Sequence, residues 1–161
     1  MAEPGATSIN EAHAAFMQSG VAIDLATRDA ANLPRITIGC GCRVAAGGRV
    51  RVLVNRRQSQ AFLAALAASR AIAATFGRPS DHHAIQVKGF DARIETLEPG
   101  DEAVIETYHA AFADDMLQIG LTRALTAAYL DLAPADTVAV SFTPRALYQQ
   151  TPGPQAGLRL A

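Results

Sequence analysis

The segment Val54-Asn55-Arg56-Arg57-Gln58-Ser59-Gln60 gathers the residue types with the most chemistry in the chain. A predicted strand ends there, two guanidinium groups follow, and a hydroxyl stands at the N-cap of a predicted helix carrying Phe62, Leu63 and Leu66. The first amides of a helix lack intrahelical partners and carry roughly half a positive charge, so a phosphate monoester is favoured at such a junction. An ordinary capped helix with solvated arginines is the competing account.

A second segment, Arg35 to Val44, bears on the same question. With strand alternation Arg35, Thr37, Gly39, Gly41 and Arg43 share one face, and Ile36, Ile38, Cys40 and Cys42 share the other. Two glycines inside a strand weaken it unless something approaches the backbone closely. A flat ring lying against the strand and simple barrel curvature both account for them.

Other reactive types point to structure rather than chemistry. Cys40 and Cys42 are the two cysteines of the chain, too few for a disulfide framework or a four-ligand zinc site, and on an apolar strand face they act as small hydrophobes. His82 and His83 are adjacent and face opposite ways, while His13 and His109 fall on predicted helices, so no zinc spacing arises. No nucleophile elbow, Walker loop or GxGxxG occurs, and Asp114-Asp115 reads as a solvated helix end. Gln86 and Lys88 share one parity of a strand, opposite Ile85 and Val87. They are either exterior residues or polar groups reaching a cofactor across a subunit boundary.

The elements that must position these groups follow from pattern. Six strands are expected at Val21–Leu25, Arg35–Val44, Arg49–Val54, Ala71–Phe76, His83–Thr96 and Thr137–Phe142, with a bulge at Gly89. Ser8-Ile9-Asn10-Glu11 predicts a capping box, Gly20 the end of the helix after it, and Ala45-Ala46-Gly47-Gly48 a hairpin loop. Helices are expected from Ser59, from Pro99-Gly100-Asp101 and around Leu121–Tyr129. Thr143 to Ala161, rich in Pro and Gly, is expected to run extended over a surface. The prediction is an α+β, mainly β, six-stranded antiparallel split β-barrel with two to four helices, one domain over 1–161 with a C-terminal tail over 143–161.

At 161 residues and a net charge of −1 the chain is long enough for a real core and carries no general pull on nucleic acid. Every cationic residue but Lys88 is an arginine, so any anion is held mainly by planar forks and backbone amides. The N-terminus shows no basic and apolar leader, and Ala61 to Gly77 is interrupted by Ser69 and Arg70, so a cytoplasmic protein is expected.

The order strand, Pro34-Arg35-Ile36-Thr37 strand, Gly-Gly hairpin, strand, Arg/Ser turn into a helix, strand, then His83-Ala84-Ile85-Gln86-Val87-Lys88-Gly89 resembles the pyridoxamine 5′-phosphate oxidase-like, FMN-binding split-barrel family. Gln150-Thr151-Pro152-Gly153-Pro154 is similar to endings of small bacterial members. The resemblance implies a homodimer with FMN at the subunit interface and an FMN-dependent oxidoreductase of unknown substrate. A non-enzymatic protein binding flavin, haem or another small ligand is the alternative. It further implies that Arg57 and Ser59 bind phosphate with Arg56 and Gln60 beside them. Arg35, Ile36, Thr37 and Ile38 would lie along the ring, and Val52 and Leu53 would line the pocket. Arg43 stands about where the oxidases carry a basic residue. The oxidases also have a lysine beside the phosphate-binding arginine and an Arg-x-His near the C-terminus. Gln58-Ser59-Gln60 and Arg159-Leu160-Ala161 offer neither, so pyridoxamine phosphate oxidation itself is not expected.

Overall fold

The computed structural model describes residues 7–130 and 136–161. The chain runs α1 (Glu11–Met17), β1 (Ala22–Arg28), β2 (Pro34–Ile38), β3 (Cys42–Val44), β4 (Val50–Asn55), α2 (Gln60–Ser69), β5 (Ile72–Gly77), β6 (Ala84–Gly89), β7 (Arg93–Glu95), α3 (Asp101–Gln118), α4 (Arg123–Tyr129), β8 (Thr137–Phe142) and β9 (Ala146–Gln149). The strands form two antiparallel sheets, in the orders β2-β1-β5-β6-β9 and β3-β4-β8-β7. Among the described residues no strand ladder joins the two sheets into a closed barrel. The α+β class holds.

Among the described residues nine strands stand where six were expected. The predicted strand over Arg35–Val44 divides at Gly39-Cys40-Gly41, and its halves, β2 and β3, join different sheets. The predicted strand over His83–Thr96 divides in the same way into β6 and β7, with Phe90-Asp91-Ala92 between them. Gly89 therefore ends a strand rather than marking a bulge. A Cβ there would lie 2.7 Å from Phe142 and 2.8 Å from the Thr143 carbonyl oxygen. The ninth strand, β9, comes from the start of the tail and pairs with β6.

Alternation builds the core. Ile23, Leu25, Phe76, Ile85, Val87 and Leu147 point inward from the first sheet and meet Val50, Val52, Val54, Val138, Val140 and Phe142 of the second. Phe62 and Leu66 of α2 are buried with them, and side chains of this size each contribute about 1.5–3 kcal/mol on burial.

Turn chemistry agrees with the sequence at two glycines. Gly20, at φ 79°, follows α1 and packs so closely that a Cβ there would collide with the Ala111 Cβ. Gly48, at φ 77°, closes the β3–β4 hairpin with its amide on the Ala45 carbonyl. The N-cap of α1 is Asn10 rather than Ser8, since the Asn10 side chain accepts from the His13 amide at 2.8 Å. No helix among the described residues is long and apolar enough to cross a membrane.

Candidate functional site

The strand β4 ends at Asn55, whose side chain accepts the Gln58 amide at 3.0 Å and whose carbonyl accepts the Ser59 amide at 3.1 Å. These bonds bend the chain through Arg56 and Arg57 and deliver it into α2. Arg56, Arg57, Gln58 and Gln60 are exposed. Ser59 is not. It is buried, and its hydroxyl shares a 2.6 Å hydrogen bond with the hydroxyl of Thr37 on β2. No side chain caps α2, so its first-turn amides keep their capacity for an acceptor.

Arg57 has a carboxylate neighbour that local sequence could not indicate. Its Nη2 donates to Asp136 Oδ2 at 2.5 Å, although the guanidinium side chain is still 76% exposed. The Asp136 carbonyl accepts the Arg56 amide at 2.6 Å, so the residue before β8 is pinned against the turn. The junction therefore presents two guanidinium groups, an uncapped helix terminus and one competing carboxylate.

On β2 the faces lie opposite to expectation. Thr37 is buried and Ile36 is 67% exposed, because the inward position next to α2 is filled by the Thr37–Ser59 pair. Arg35 is turned toward Asp29, donating from Nε and Nη2 at 3.1 and 2.8 Å. The Leu33 amide, the Arg35 guanidinium and the Ala31 amide together hold the Asp29 carboxyl below its usual value. The space beside the two glycines is occupied by the protein itself. A Cβ on Gly39 would meet Val52 at 2.8 Å and Ile23 at 2.9 Å, and one on Gly41 would meet Val104 at 3.0 Å. On that side the glycines serve close packing where the chain passes from one sheet to the other, and no ring can enter.

Three further predicted residues stand apart from the junction. Val52 and Leu53 are fully buried in the core and offer no surface to a ligand in the single chain. Arg43 pairs across the β3–β4 ladder with Arg51. Arg51 lies four residues before the end of β4, or about 13 Å at strand rise. There Arg43 donates to Glu98 at 3.1 Å and lies 2.9 Å from Asp101. Arg51 donates to Asp101 at 2.7 Å, to Glu95 at 2.6 Å and to the Thr96 carbonyl at 2.7 Å. Asp101 is the first residue of α3 and fully buried. Burial alone would raise its carboxyl, but Arg51, the Glu98 amide and Arg43 outweigh that and hold it low. The recess of about 450 Å³ beside this network has its cations already matched by carboxylates.

The remaining reactive types are structural. Burial pushes the Cys40 thiol up to about 12 and raises that of Cys42 as well, so neither is a thiolate near neutrality. Asp115, expected in solvent, is buried and accepts from the Ser80 hydroxyl at 2.5 Å and the Ser80 amide at 3.3 Å. Its spacing from Phe112 places it on the inner stripe of α3, a signal the sequence did carry. His83 Nδ1 lies 3.1 Å from the Thr151 hydroxyl and its ring meets Phe16 edge-on. Gln86 donates to the Thr75 hydroxyl at 3.0 Å. No group of three or more metal-ligating side chains occurs among the described residues.

No family model and no curated protein matches the sequence. Solved structures do match the fold. HupZ of Group A Streptococcus is 14% identical with a TM-score of 0.52, covering 93% of this chain and all of that one (100%). An F420 reductase is 15% identical with a TM-score of 0.52, covering 86% of this chain and 98% of that one. A candidate pyridoxamine 5′-phosphate oxidase from Lactobacillus delbrueckii is 13% identical with a TM-score of 0.51, covering 87% and 93%. The chain has the pyridoxamine 5′-phosphate oxidase-like split-barrel fold.

Proposed function

We propose that the protein is an FMN-dependent oxidoreductase built on this fold, acting on a small molecule in the cytoplasm. The observation that carries the reading is the exposed Arg56-Arg57 pair beside the uncapped N-terminus of α2. A fold shared with an F420 reductase and with a candidate pyridoxamine 5′-phosphate oxidase supports it.

The donor set fits a phosphate monoester. Arg56, Arg57 and Gln60 supply side-chain donors, and the first turn of α2 supplies amides with the positive end of the helix dipole. Ser59 joins only if its bond to Thr37 opens. Two or three charge-assisted hydrogen bonds contribute about 1.5–3 kcal/mol each, against roughly 8 kcal/mol for micromolar affinity. Apolar burial of the ring supplies the remainder. Ile36, 67% exposed, and Ile38 present the outward face of β2 for that purpose. When bound, FMN supplies hydride and electron transfer. The chain's own residues hold the phosphate and orient the ring.

A second copy is proposed to complete the pocket, because Leu33 and Ile36 stand 54% and 67% exposed at the free edge of β2. One observation favours a second reading, a non-enzymatic holder of flavin, haem or another small ligand. The Thr37 and Ser59 hydroxyls at the junction are bonded to each other and both thiols are buried, so none of these four groups faces it as a nucleophile.

Reconstitution tests the proposal. FMN is expected to bind at micromolar concentration with quenched flavin fluorescence, and riboflavin much more weakly. The double variant R56A/R57A is expected to bring FMN down to the riboflavin level without lowering the melting temperature. Equal binding of FMN by the double variant would remove the phosphate assignment, and bleaching of bound flavin by a physiological reductant separates enzyme from holder.

A further inference from the structure

Lys88 is the sole lysine of the chain, and no ion pair among the described residues includes it. Its ammonium lies 5.0 Å from the centre of the Tyr148 ring. In the ladder Lys88 stands opposite Ala73, and Ala73 opposite Ala26, so the three form one row across β6, β5 and β1. The neighbours that alternate with them, Val87, Ala74 and Leu25, are buried, which places the row on the face of the sheet turned away from the core. Thr37, which bonds to Ser59 beside α2, belongs to the core side, so the row and the α2 junction occupy opposite faces.

Two alanines keep the middle of this row low. Phe90, 60% exposed, and Arg28 rise at its side, and the result is a recess of about 260 Å³. The row from Ala26 to Lys88 spans two strand spacings, or about 9–10 Å. Arg28 enters no ion pair among the described residues either; its guanidinium donates to the neutral amide oxygen of Asn32. An apolar floor therefore lies under two cations that no carboxylate among the described residues neutralises. An amine would be repelled there, and a neutral apolar molecule would leave both charges unused. An anionic head on a short hydrocarbon body satisfies floor and cations together, and the volume is below that of sites for drug-sized ligands.

We propose that this recess binds a small amphiphilic carboxylate, its anionic end on Lys88 and its apolar body over Ala73 and Ala26. Ile36 stands opposite Ala26 in the β1–β2 ladder, so the recess adjoins the face of β2 that the proposed function gives to the flavin ring, but the proposal does not rest on that function. Because the chain has a single lysine, reductive ¹³C-methylation of the full-length protein gives one ε-amine signal, distinct from the α-amine, that reports on Lys88 alone. Octanoate is expected to shift that signal saturably, and octylamine to leave it unmoved. In calorimetry K88Q is expected to weaken octanoate at least tenfold and K88R to retain it. A73L, which fills the floor but keeps the charge, is expected to abolish binding at an unchanged melting temperature. The proposal is overturned if octanoate leaves the Lys88 signal in place, if octylamine binds equally well, or if K88Q and A73L both bind octanoate as the parent does. A dimer that excludes octanoate from Lys88 overturns it too, while leaving the flavin reading untouched.

Discussion

Thr37 and Ser59, one on β2 and one at the head of α2, bury their hydroxyl oxygens 2.6 Å apart. The bond ties the edge strand of the first sheet to the helix that carries the arginine turn. Removing one partner leaves the other hydroxyl buried without a mate, which costs about 1–3 kcal/mol. T37V and S59A are each expected to lower unfolding free energy by that amount in urea titrations. The double variant is expected to lose less than the sum, because no orphan remains. Additive losses would show that the two hydroxyls do not depend on each other.

Gly39 sits where a Cβ would approach Val52 to 2.8 Å and Ile23 to 2.9 Å, and both neighbours are fully buried and cannot retreat. G39A is expected to destabilise by about 1–3 kcal/mol through overpacking. Gly47, with nothing within 4 Å of a Cβ, provides the control. G47A is expected to stay within about 0.5 kcal/mol of the parent. Thermal melts of the two variants decide whether glycine at 39 serves packing, as the geometry requires.

Much of the fold was legible because it rests on local periodicity. The alternation of Val50, Val52 and Val54 and that of Val138, Val140 and Phe142 predict strands that the structure contains. The arginine turn before α2 was legible for the same reason. What stayed hidden depends on contacts distant in sequence. Nothing near Gly39 says that β2 and β3 will join different sheets, and a one-residue change of parity there decides whether Thr37 or Ile36 faces inward. The partner of Arg57 is Asp136, 79 positions away, and the partners of Arg43 are Glu98, shortly before α3, and Asp101, its first residue. Spacing cannot reveal such pairs.

Asp91 joins the β6–β7 passage to the end of β8. It accepts the Thr143 amide at 2.7 Å and the Thr143 hydroxyl at 2.8 Å, and pairs with Arg49 at 2.9 Å. Burial works to raise its carboxyl, but the Thr143 amide and hydroxyl and the Arg49 guanidinium outweigh it and hold it down to about 2. A carboxyl depressed in the folded state stabilises above its unfolded value of 3.8 and loses that contribution as pH falls toward 2. Asp101, also held low, acts in the same direction. Chemical denaturation at stepped pH is expected to show stability falling between about pH 4 and 2. D91N is expected to be less stable than the parent at pH 7, with the gap closing across that window. A gap independent of pH would mean that Asp91 acts through shape and not charge.

In the proposed flavin site, Asp136 competes with the phosphate for Arg57. Its carboxylate is 2.5 Å from the guanidinium, yet the pair is largely solvent-exposed on the arginine side. Exposed pairs of this kind are worth about 0.2–1 kcal/mol, so the carboxylate competes weakly with a dianion. D136N removes the competing charge while keeping side-chain size, and it is expected to tighten FMN binding up to about fivefold. R57A removes the donor and is expected to weaken FMN roughly tenfold to a hundredfold, the equivalent of about 1.5–3 kcal/mol. Riboflavin lacks the phosphate, so both variants are expected to bind it as the parent does. The gain in D136N is expected to shrink as salt rises, because screening weakens exposed charges first. Fluorescence titrations with both ligands at two ionic strengths make the comparison. A riboflavin response equal to that of FMN would place the effect on the ring or on the fold, and Arg57 would lose its part in holding phosphate.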